Sequence, residues 1–308
     1  MNAAIQARAL TTSYGRTNAR GIVDVDLTVH PGQVMGLVGA NGAGKTTLMR
    51  TMLDFIRPTS GTLRLLGLDS RADALAIRRR TTYLPGELVL PSRLTGHGVV
   101  ERYLSARPDV DTGRVATLAG DLDLDLDRAV GDLSKGNRQK LGLLLAFAPG
   151  ADLLVLDEPT SGLDPLLQRQ FAGLVSDAAS RGAAVLLSSH VMAEVEQVAD
   201  SVALMREGRI VTVEPVAALL ARGVRRGQAR PAEPDDAATL ADALQATPGI
   251  ADVRLDGSAT APLVTFSLHG DVNPMLTVLA RHRLDAFDLT HADLEDAFFR
   301  TDHDQVPS

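Results

Sequence analysis

Residues 33–47 read QVMGLVGANGAGKTT, which is a short apolar run followed by glycines, Lys45 and Thr46. Two glycines, a lysine and a hydroxyl residue in this order are typical of a phosphate-binding loop between a strand and a helix. Small residues let backbone N–H groups turn towards the β- and γ-phosphates, and the positive end of the following helix strengthens the attraction. We therefore expect Lys45 to contact the terminal phosphates and the Thr46 hydroxyl to ligate Mg²⁺.

The segments around this loop alternate between strand and helix patterns. A strand over 22–29 and another over 33–38 precede a helix over 45–56, which Pro58 ends. Further strands are predicted at 62–67, 152–157, 183–189, 201–205 and 209–213, and helices within 99–147, at 165–181 and at 191–199. This alternation favours an α/β fold with a mostly parallel sheet that helices cover on both faces.

A change in composition over residues 222–236 predicts a linker, because apolar periodicity gives way to Pro, Gly and charge. The first domain is accordingly expected over 1–221, and a small α+β domain over 237–308. The predicted elements of this second domain are a helix at 238–246, strands near 250–255 and 262–268, a helix at 273–282, a strand at 285–289 and a last helix from 291.

The composition of the 308 residues excludes several classes of protein. A net charge of −7 argues against a duplex-binding protein, and the 7 Phe and 3 Tyr are too few for a base-stacking platform, so no nucleic acid partner is expected. The lack of cysteine excludes disulfides and thiolate metal sites. The longest charge-free run, 27–44, contains five glycines and does not predict a membrane span. Contact with a membrane is therefore expected only through a partner or a surface.

The apolar strand predicted at 152–157, DLLVLD, ends in two carboxylates, Asp157 and the adjoining Glu158. At such a strand end in nucleoside triphosphatases, the first acid holds the Mg²⁺ shell and the second is placed to polarise an attacking water. We assign these roles to Asp157 and Glu158. The alternative, an ordinary acidic turn, is disfavoured because the pair follows the phosphate loop by about 110 residues in a strand–helix protein.

Three more segments follow the same order along the chain: LSKGNRQK at 133–140, SGLDP at 161–165 and SSH at 188–190. Together with the phosphate loop and the carboxylates, they resemble the nucleotide-binding subunit of an ABC transporter over roughly residues 5–215. LSKGNRQK is similar to the LSGGQ signature of that family in the form LSxGxxQ. The resemblance implies a P-loop NTPase fold with a RecA-like core, an antiparallel β subdomain and an α-helical subdomain at about 85–150.

The resemblance also implies roles for individual residues. Glu158 would be the general base, and His190 would contact the γ-phosphate. In a head-to-tail dimer, Ser134 and Gly136 would cap the nucleotide bound by the other subunit. Asp164 would couple the two sites, while a simpler role as a helix N-cap stays open.

Tyr14 would stack on adenine, with ordinary edge packing as the alternative. The catalytic set is then Glu158, His190 and Lys45. The residues expected to ligate Mg²⁺ are Thr46 and Asp157. The residues expected at the ATP are Tyr14, Gly39, Ala40, Asn41, Gly42, Ala43, Gly44, Lys45, Thr46, Thr47, Ser134, Gly136 and Asp164.

The sequence departs from the family at one position. Where the family has a glutamine loop written YLPQE, residues 83–87 read YLPGE. Gly86 stands at the glutamine position and has no side chain to ligate Mg²⁺ or to sense the γ-phosphate. Glu87 could reach in from the next position, and slower hydrolysis or a different coupling is expected.

Residues 290–300, THADLEDAFFR, resemble a PSLEDVFL motif that follows the ATPase in bacterial exporters of the ABC-2 type. The resemblance implies an ATP-hydrolysing motor for efflux of a drug, antibiotic or lipid. Its partners would be a separate multi-spanning permease and a second ABC ATPase subunit, in a homodimer at the cytoplasmic face of the cell membrane. The alternatives are a soluble ABC ATPase of translation or DNA maintenance, and a self-resistance protein that binds a drug in its tail domain.

Overall fold

The computed structural model describes residues 3–14, 19–107, 110–222, 225–258 and 260–291. The chain divides into two compact units, Met1–Pro215 and Val216–Ser308. The strands of the first unit are β1 (Ile5–Tyr14), β2 (Ala19–Val29), β3 (Val34–Val38), β4 (Ser60–Leu65), β5 (Leu68–Asp69), β6 (Thr81–Leu84), β7 (Leu153–Leu156), β8 (Ala184–Ser189), β9 (Ser201–Arg206) and β10 (Arg209–Pro215). Its helices are α1 (Lys45–Met52), α2 (Ala74–Arg80), α3 (Gly96–Leu104), α4 (Thr112–Asp121), α5 (Lys135–Phe147), α6 (Pro165–Ser180) and α7 (Met192–Glu196).

The centre of this unit is a six-stranded sheet in the order β10-β9-β3-β8-β7-β6. Its neighbouring strands run parallel, except that β10 pairs antiparallel with β9. Every residue of β3, β7 and β8 is buried, as expected of a sheet that helices cover on both faces. The predicted α/β class and its mostly parallel sheet are confirmed.

A second sheet in the first unit is antiparallel, with the order β2-β1-β4-β5. Its inner face shares one hydrophobic core with α1 and the central sheet, through Ile5, Leu27 and Leu48 among others. The sequence patterns contained no strand prediction for residues 5–14, where β1 lies. Helices α3, α4 and α5 occupy the stretch for which a helical subdomain was predicted.

The second unit contains α8 (Val216–Arg222), β11 (Arg225–Pro231), α9 (Ala237–Gln245), β12 (Ile250–Ser258), β13 (Ala261–Leu268), α10 (Asn273–Leu279) and β14 (Leu284–His291). Its four strands form an antiparallel sheet in the order β12-β13-β11-β14. With helices after β11 and β13, this is the βαββαβ arrangement of ferredoxin-like domains. Its core lies between the sheet and the two helices, with Leu240 and Leu244 from α9, Met275 from α10 and Phe266 from β13.

The predicted linker over 222–236 is wrong, because β11 lies inside it and pairs with both β13 and β14. Alternate residues of this strand are buried, but they are Gly227, Ala229 and Pro231 rather than large apolar residues. A Cβ on Gly227 would lie 2.2 Å from the Phe266 ring, so only glycine fits under that side chain. The chain accordingly divides after Pro215 and not after residue 221.

Two expectations fall on residues that the structure does not describe. The predicted last helix would begin at residue 291, which ends β14, and its remainder lies outside the described residues. Most of the motif at 290–300 lies there too. Within the described ranges, no helix is long and apolar enough to cross a bilayer.

Candidate functional site

Three neighbouring strands of the central sheet bring the predicted motifs together. The order β3-β8-β7 is parallel, so the carboxyl ends of these strands meet at one edge. The glycine loop follows β3, His190 follows β8, and the two carboxylates follow β7. Ligands of open α/β sheets bind at this edge, which makes it the candidate ATP site.

The glycine loop has a backbone that only small residues can adopt. Gly44 precedes α1 with φ +110°, and a Cβ on Gly39 would lie 2.2 Å from the carbonyl oxygen of Met205. The Lys45 side chain folds back over the loop, because its Nζ donates to the carbonyl oxygens of Gly39 at 2.7 Å and Ala40 at 3.3 Å. Lys45 is only 5% exposed, so its ammonium is held at the loop instead of in bulk solvent.

Glu158 lies between the two other groups predicted to be catalytic. Its Oε1 is 3.4 Å from Lys45 Nζ, and its Oε2 is 2.6 Å from Nδ1 of His190. The backbone of Glu158 is left-handed, with φ +48°, a conformation that costs a non-glycine residue of order 1–3 kcal/mol. The fold therefore holds this carboxylate between a cation and an imidazole at the expense of local strain.

Ser188 is a residue of this site that the sequence patterns did not single out. Its hydroxyl is fully buried, donates to Asp157 Oδ1 at 2.7 Å and accepts from the Glu158 backbone N–H at 2.9 Å. The one hydroxyl thus fixes both carboxylate-bearing residues. A usable signal was its place two residues before His190, since alternate positions of a strand share a face.

The donor set at this edge fits Mg²⁺. Asp157 is a carboxylate only 3% exposed at the end of β7, and Thr46 places a hydroxyl on the first turn of α1. These two oxygen donors are enough for Mg²⁺, because it usually keeps several water ligands and takes others from the phosphates of the substrate. The described residues hold no cluster of three or more His, Cys, Asp or Glu side chains that could bind a metal by themselves.

The signature segment lies against the SGLDP segment of the same chain. Ser134 caps α5 by accepting from the Asn137 N–H at 3.2 Å. A Cβ on Gly162 would lie 2.8 Å from Lys135 Nζ, and Gln139 donates to the carbonyl oxygen of Ser161 at 3.4 Å. The two segments therefore form one surface patch.

Asp164 is the N-cap of α6, as the simpler of its two expected roles required, and accepts from the N–H groups of Leu166 and Leu167. Ser134, Gly136 and Asp164 are exposed. Within the described ranges, no hydrogen bond or ion pair joins these three residues to Lys45, Glu158 or His190.

Gly86 lies directly beside the carboxylates. A Cβ there would be 3.2 Å from the carbonyl oxygen of Asp157 and 3.6 Å from the Glu158 Cβ. This is the place where a glutamine-loop side chain would enter the site, and the chain has only backbone there. Nearby, burial and then the charge of Asp157 raise the pKa of the Tyr83 phenol, which Arg50 opposes. The side chain of Tyr14 lies outside the described part of the structure.

Comparisons with known proteins identify the family of this chain. A family model described as ABC transporter matches residues 22–161. The bacitracin transport ATP-binding protein BcrA of Enterococcus faecalis is 33% identical over 214 residues, which are 68% of this chain and 69% of that protein. The daunorubicin/doxorubicin resistance ATP-binding protein DrrA of Streptomyces peucetius is 33% identical over 216 residues, which are 68% of this chain and 64% of that protein.

A solved structure described as "Structure of ATP binding subunit of ABC transporter" has a TM-score of 0.65 and 26% identity, over 70% of this chain and 91% of that chain. The 33% sequence identity to BcrA extends over 69% of that protein, which shows membership of the same family and not only a shared fold. This chain therefore belongs to the ATP-binding, ATP-hydrolysing subunits of the ABC transporter family.

Proposed function

We propose that this chain powers efflux of a drug, antibiotic or lipid through a separate ABC-2-type permease. Two similar proteins are named for bacitracin transport and for daunorubicin/doxorubicin resistance, which favours this substrate class. The observation that carries the motor role is Glu158, held between Lys45 and His190. The protein would act as a homodimer at the cytoplasmic face of the cell membrane.

The phosphate end of ATP would lie on the backbone N–H groups of residues 39–47, with Lys45 turning from the loop carbonyls to the terminal phosphates. Thr46 and Asp157 would hold Mg²⁺, which supplies charge neutralisation at the β- and γ-phosphates. Asp157 keeps its orientation through Ser188. Tyr14 would stack on the adenine ring.

Glu158 would orient the attacking water and accept its proton, because its Oε1 lies 3.4 Å from Nζ of Lys45 at the glycine loop. Lys45 and His190 would then balance the charge that develops on the transferred phosphoryl group. The 2.6 Å contact between His190 and Glu158 gives the imidazole a fixed orientation for this task.

Ser134 and Gly136 would bind the nucleotide of the partner subunit. Both residues are exposed at the start of α5, and no hydrogen bond within the described residues ties them to their own glycine loop, which supports a role in trans. Asp164 would couple the two sites from the adjoining segment. ATP would then join the two subunits, and hydrolysis would release them.

The permease would contact the segment over 83–104, which begins beside the active-site carboxylates. Val89, in this segment, is 83% exposed and offers apolar surface to such a partner. Movement of the ATP site would in this way reach the membrane partner.

Glu158→Gln tests the catalytic assignment. The variant should bind ATP with unchanged affinity, form an ATP-dependent dimer and lose turnover, because the amide cannot take up a proton. Glu196→Gln is the matched control and should hydrolyse ATP like the wild type. Normal hydrolysis by Glu158→Gln would refute the role of Glu158.

Affinity purification from detergent-solubilised membranes tests the partner assignment. A multi-spanning protein should co-purify in stoichiometric amount and be identified by mass spectrometry. Ribosomal proteins or DNA-repair factors in its place would favour a soluble ABC ATPase and leave the ATP-site assignments intact.

A further inference from the structure

A second network of hydrogen bonds lies behind the Glu158–His190 contact, centred on Glu194. Its Oε2 accepts from Thr160 Oγ1 at 2.6 Å and from Ser189 Oγ at 2.8 Å. Both hydroxyls are buried, at 7% and 1% exposure. Hydrogen bonds to a carboxylate are stronger than those between neutral groups. The Glu194 carboxylate therefore connects the segment of Thr160 firmly to that of Ser189.

The two donors come from the two segments that carry the catalytic pair. Thr160 lies two residues after Glu158, and Ser189 immediately precedes His190. The Ser189 oxygen also accepts from the Val191 N–H at 3.0 Å, which closes the turn around His190. The backbone on both sides of the 2.6 Å contact between Glu158 and His190 is thus tied to one carboxylate.

The helix that carries Glu194 is itself fixed on the central sheet. Val195 is fully buried, and its Cγ1 lies 2.0 Å from the place where a Cβ on Gly36 would be. No residue other than glycine at position 36 allows α7 to approach β3 so closely. Glu194 is therefore a rigid reference point for both catalytic segments.

Thr160 also begins the segment that would face the partner subunit. The Leu163 N–H donates to the Thr160 carbonyl oxygen at 3.0 Å, and the Ser161 N–H donates to that of Glu158 at 3.2 Å. The hydrogen bonds therefore form a continuous connection from residues 161–164 through Thr160 to Glu194, and from Glu194 to Ser189, which precedes His190.

We propose that Glu194 is a positioning residue for ATP hydrolysis: it sets the His190–Glu158 contact and links it to the Ser161–Asp164 segment. This inference rests on the roles proposed above for Glu158 and His190. Within the described residues, the hydrogen bonds of the Glu194 carboxylate go to Thr160 and Ser189 and not to the side chains of Glu158 or His190, so its effect on the reaction would pass through these two residues.

Steady-state hydrolysis by Glu194→Ala, Glu194→Gln and the control Glu196→Ala on the same helix tests the proposal. Glu194→Ala should lower kcat by about 10- to 100-fold, as loss of an orienting partner does, with the KM for ATP within about threefold of the wild-type value. Glu194→Gln keeps an acceptor oxygen for the two hydroxyls and should recover most of the rate. A wild-type kcat for Glu194→Ala, or an equal loss in Glu196→Ala, would overturn the proposal.

A double-mutant cycle with His190→Ala separates a positioning role from general stabilisation. If Glu194 acts through His190, then Glu194→Ala should change the residual single-turnover rate of His190→Ala by less than about twofold. If the two substitutions lowered the rate independently, so that their fold-losses multiplied in the double variant, Glu194 would not act through His190. If Glu194→Ala does not fold, Thr160→Val and Ser189→Ala each remove one donor; each should lower kcat, and wild-type rates in both would refute the proposal. Wild-type protein without ATPase activity would instead refute the proposed function.

Discussion

Replacement of Ser188 by alanine removes one hydroxyl and two buried hydrogen bonds behind the ATP site. The hydroxyl donates to Asp157 Oδ1 at 2.7 Å and accepts from the Glu158 N–H at 2.9 Å. Because Ser188 is fully buried, no solvent replaces either partner without a rearrangement of β7 and β8. The variant therefore leaves a carboxylate short of one donor and a backbone N–H without its acceptor.

The cost follows from these two losses. A hydrogen bond to a charged acceptor contributes about 1.5–3 kcal/mol, and a buried N–H left unpaired costs about 1–3 kcal/mol. Local relaxation recovers part of the sum, and we expect Ser188→Ala to lower the free energy of unfolding by about 3 kcal/mol. The rate of hydrolysis should fall as well, since both carboxylates lose the group that orients them.

Thr81→Val is the matched control, because it also deletes a buried hydroxyl next to β7. Thr81 is 4% exposed, and its Oγ1 has no hydrogen-bond partner within the part of the chain that the structure describes. Removing an unpaired buried hydroxyl should change the free energy of unfolding by less than about 0.5 kcal/mol or increase it.

Urea unfolding, followed by circular dichroism, measures the free energy of unfolding of both variants. Their midpoints can be compared if the m values are equal. Phosphate release measures the rate of hydrolysis. A loss under about 1 kcal/mol for Ser188→Ala, or an equal loss for Thr81→Val, would refute the reasoning, because the effect would then not depend on hydrogen bonding.

Three further predictions follow from other parts of the first unit. Phe171 is 1% exposed and packs edge-on against Phe147, with 6.2 Å between the ring centroids. Phe171→Ala should therefore lower the free energy of unfolding in urea by about 3–5 kcal/mol, and a decrease under about 1 kcal/mol would contradict this packing. Gly44→Ala should abolish ATP binding in a fluorescent-nucleotide titration and cost about 2–3 kcal/mol, because φ is +110° and a Cβ would lie 2.9 Å from Met205 Cε. Gly42→Ala, where nothing lies within 4 Å, should cost about 1–2 kcal/mol, and equal losses at both positions would rule out the clash. Burial and Asp157 raise the pKa of Tyr83 above 10.0, so the folded state holds the phenolic proton more tightly than the unfolded chain. The resulting stability is full below pH 10 and is lost as the pH rises through the folded pKa; Tyr83→Phe should be less sensitive to alkali, and an unchanged alkaline transition would contradict the assignment.

The location of the candidate site could be predicted from the sequence wherever a short motif fixes its own geometry. The loop over 39–47 needs glycines for its backbone, and the carboxylates after 152–156 need only the end of a buried strand. Parallel pairing then brings the ends of β3, β7 and β8 together. These features depend on local pattern and on the arrangement of one sheet, which is why a single sequence sufficed.

Features that depend on tertiary contact were not readable. Ser188 and Glu194 form hydrogen bonds with residues 30 and 34 positions away in sequence, and no spacing rule predicts such partners, even where the place of Ser188 two residues before His190 indicates a shared face. The prediction of a linker in place of β11 is wrong because the buried positions of this strand hold Gly227, Ala229 and Pro231, of which Gly227 lies under Phe266. Because these buried residues are small, the strand shows no alternation of large apolar and polar side chains from which it could be predicted.

The pairing of β11 with β14 has a consequence for how the second unit could arise and be exchanged. Arg225, where β11 begins, lies opposite His291, where β14 ends. The chain therefore enters and leaves this sheet at neighbouring points, the geometry in which whole domains tolerate insertion and circular permutation. Inserted into a loop of another protein, residues 225–291 would need only two junctions that lie side by side.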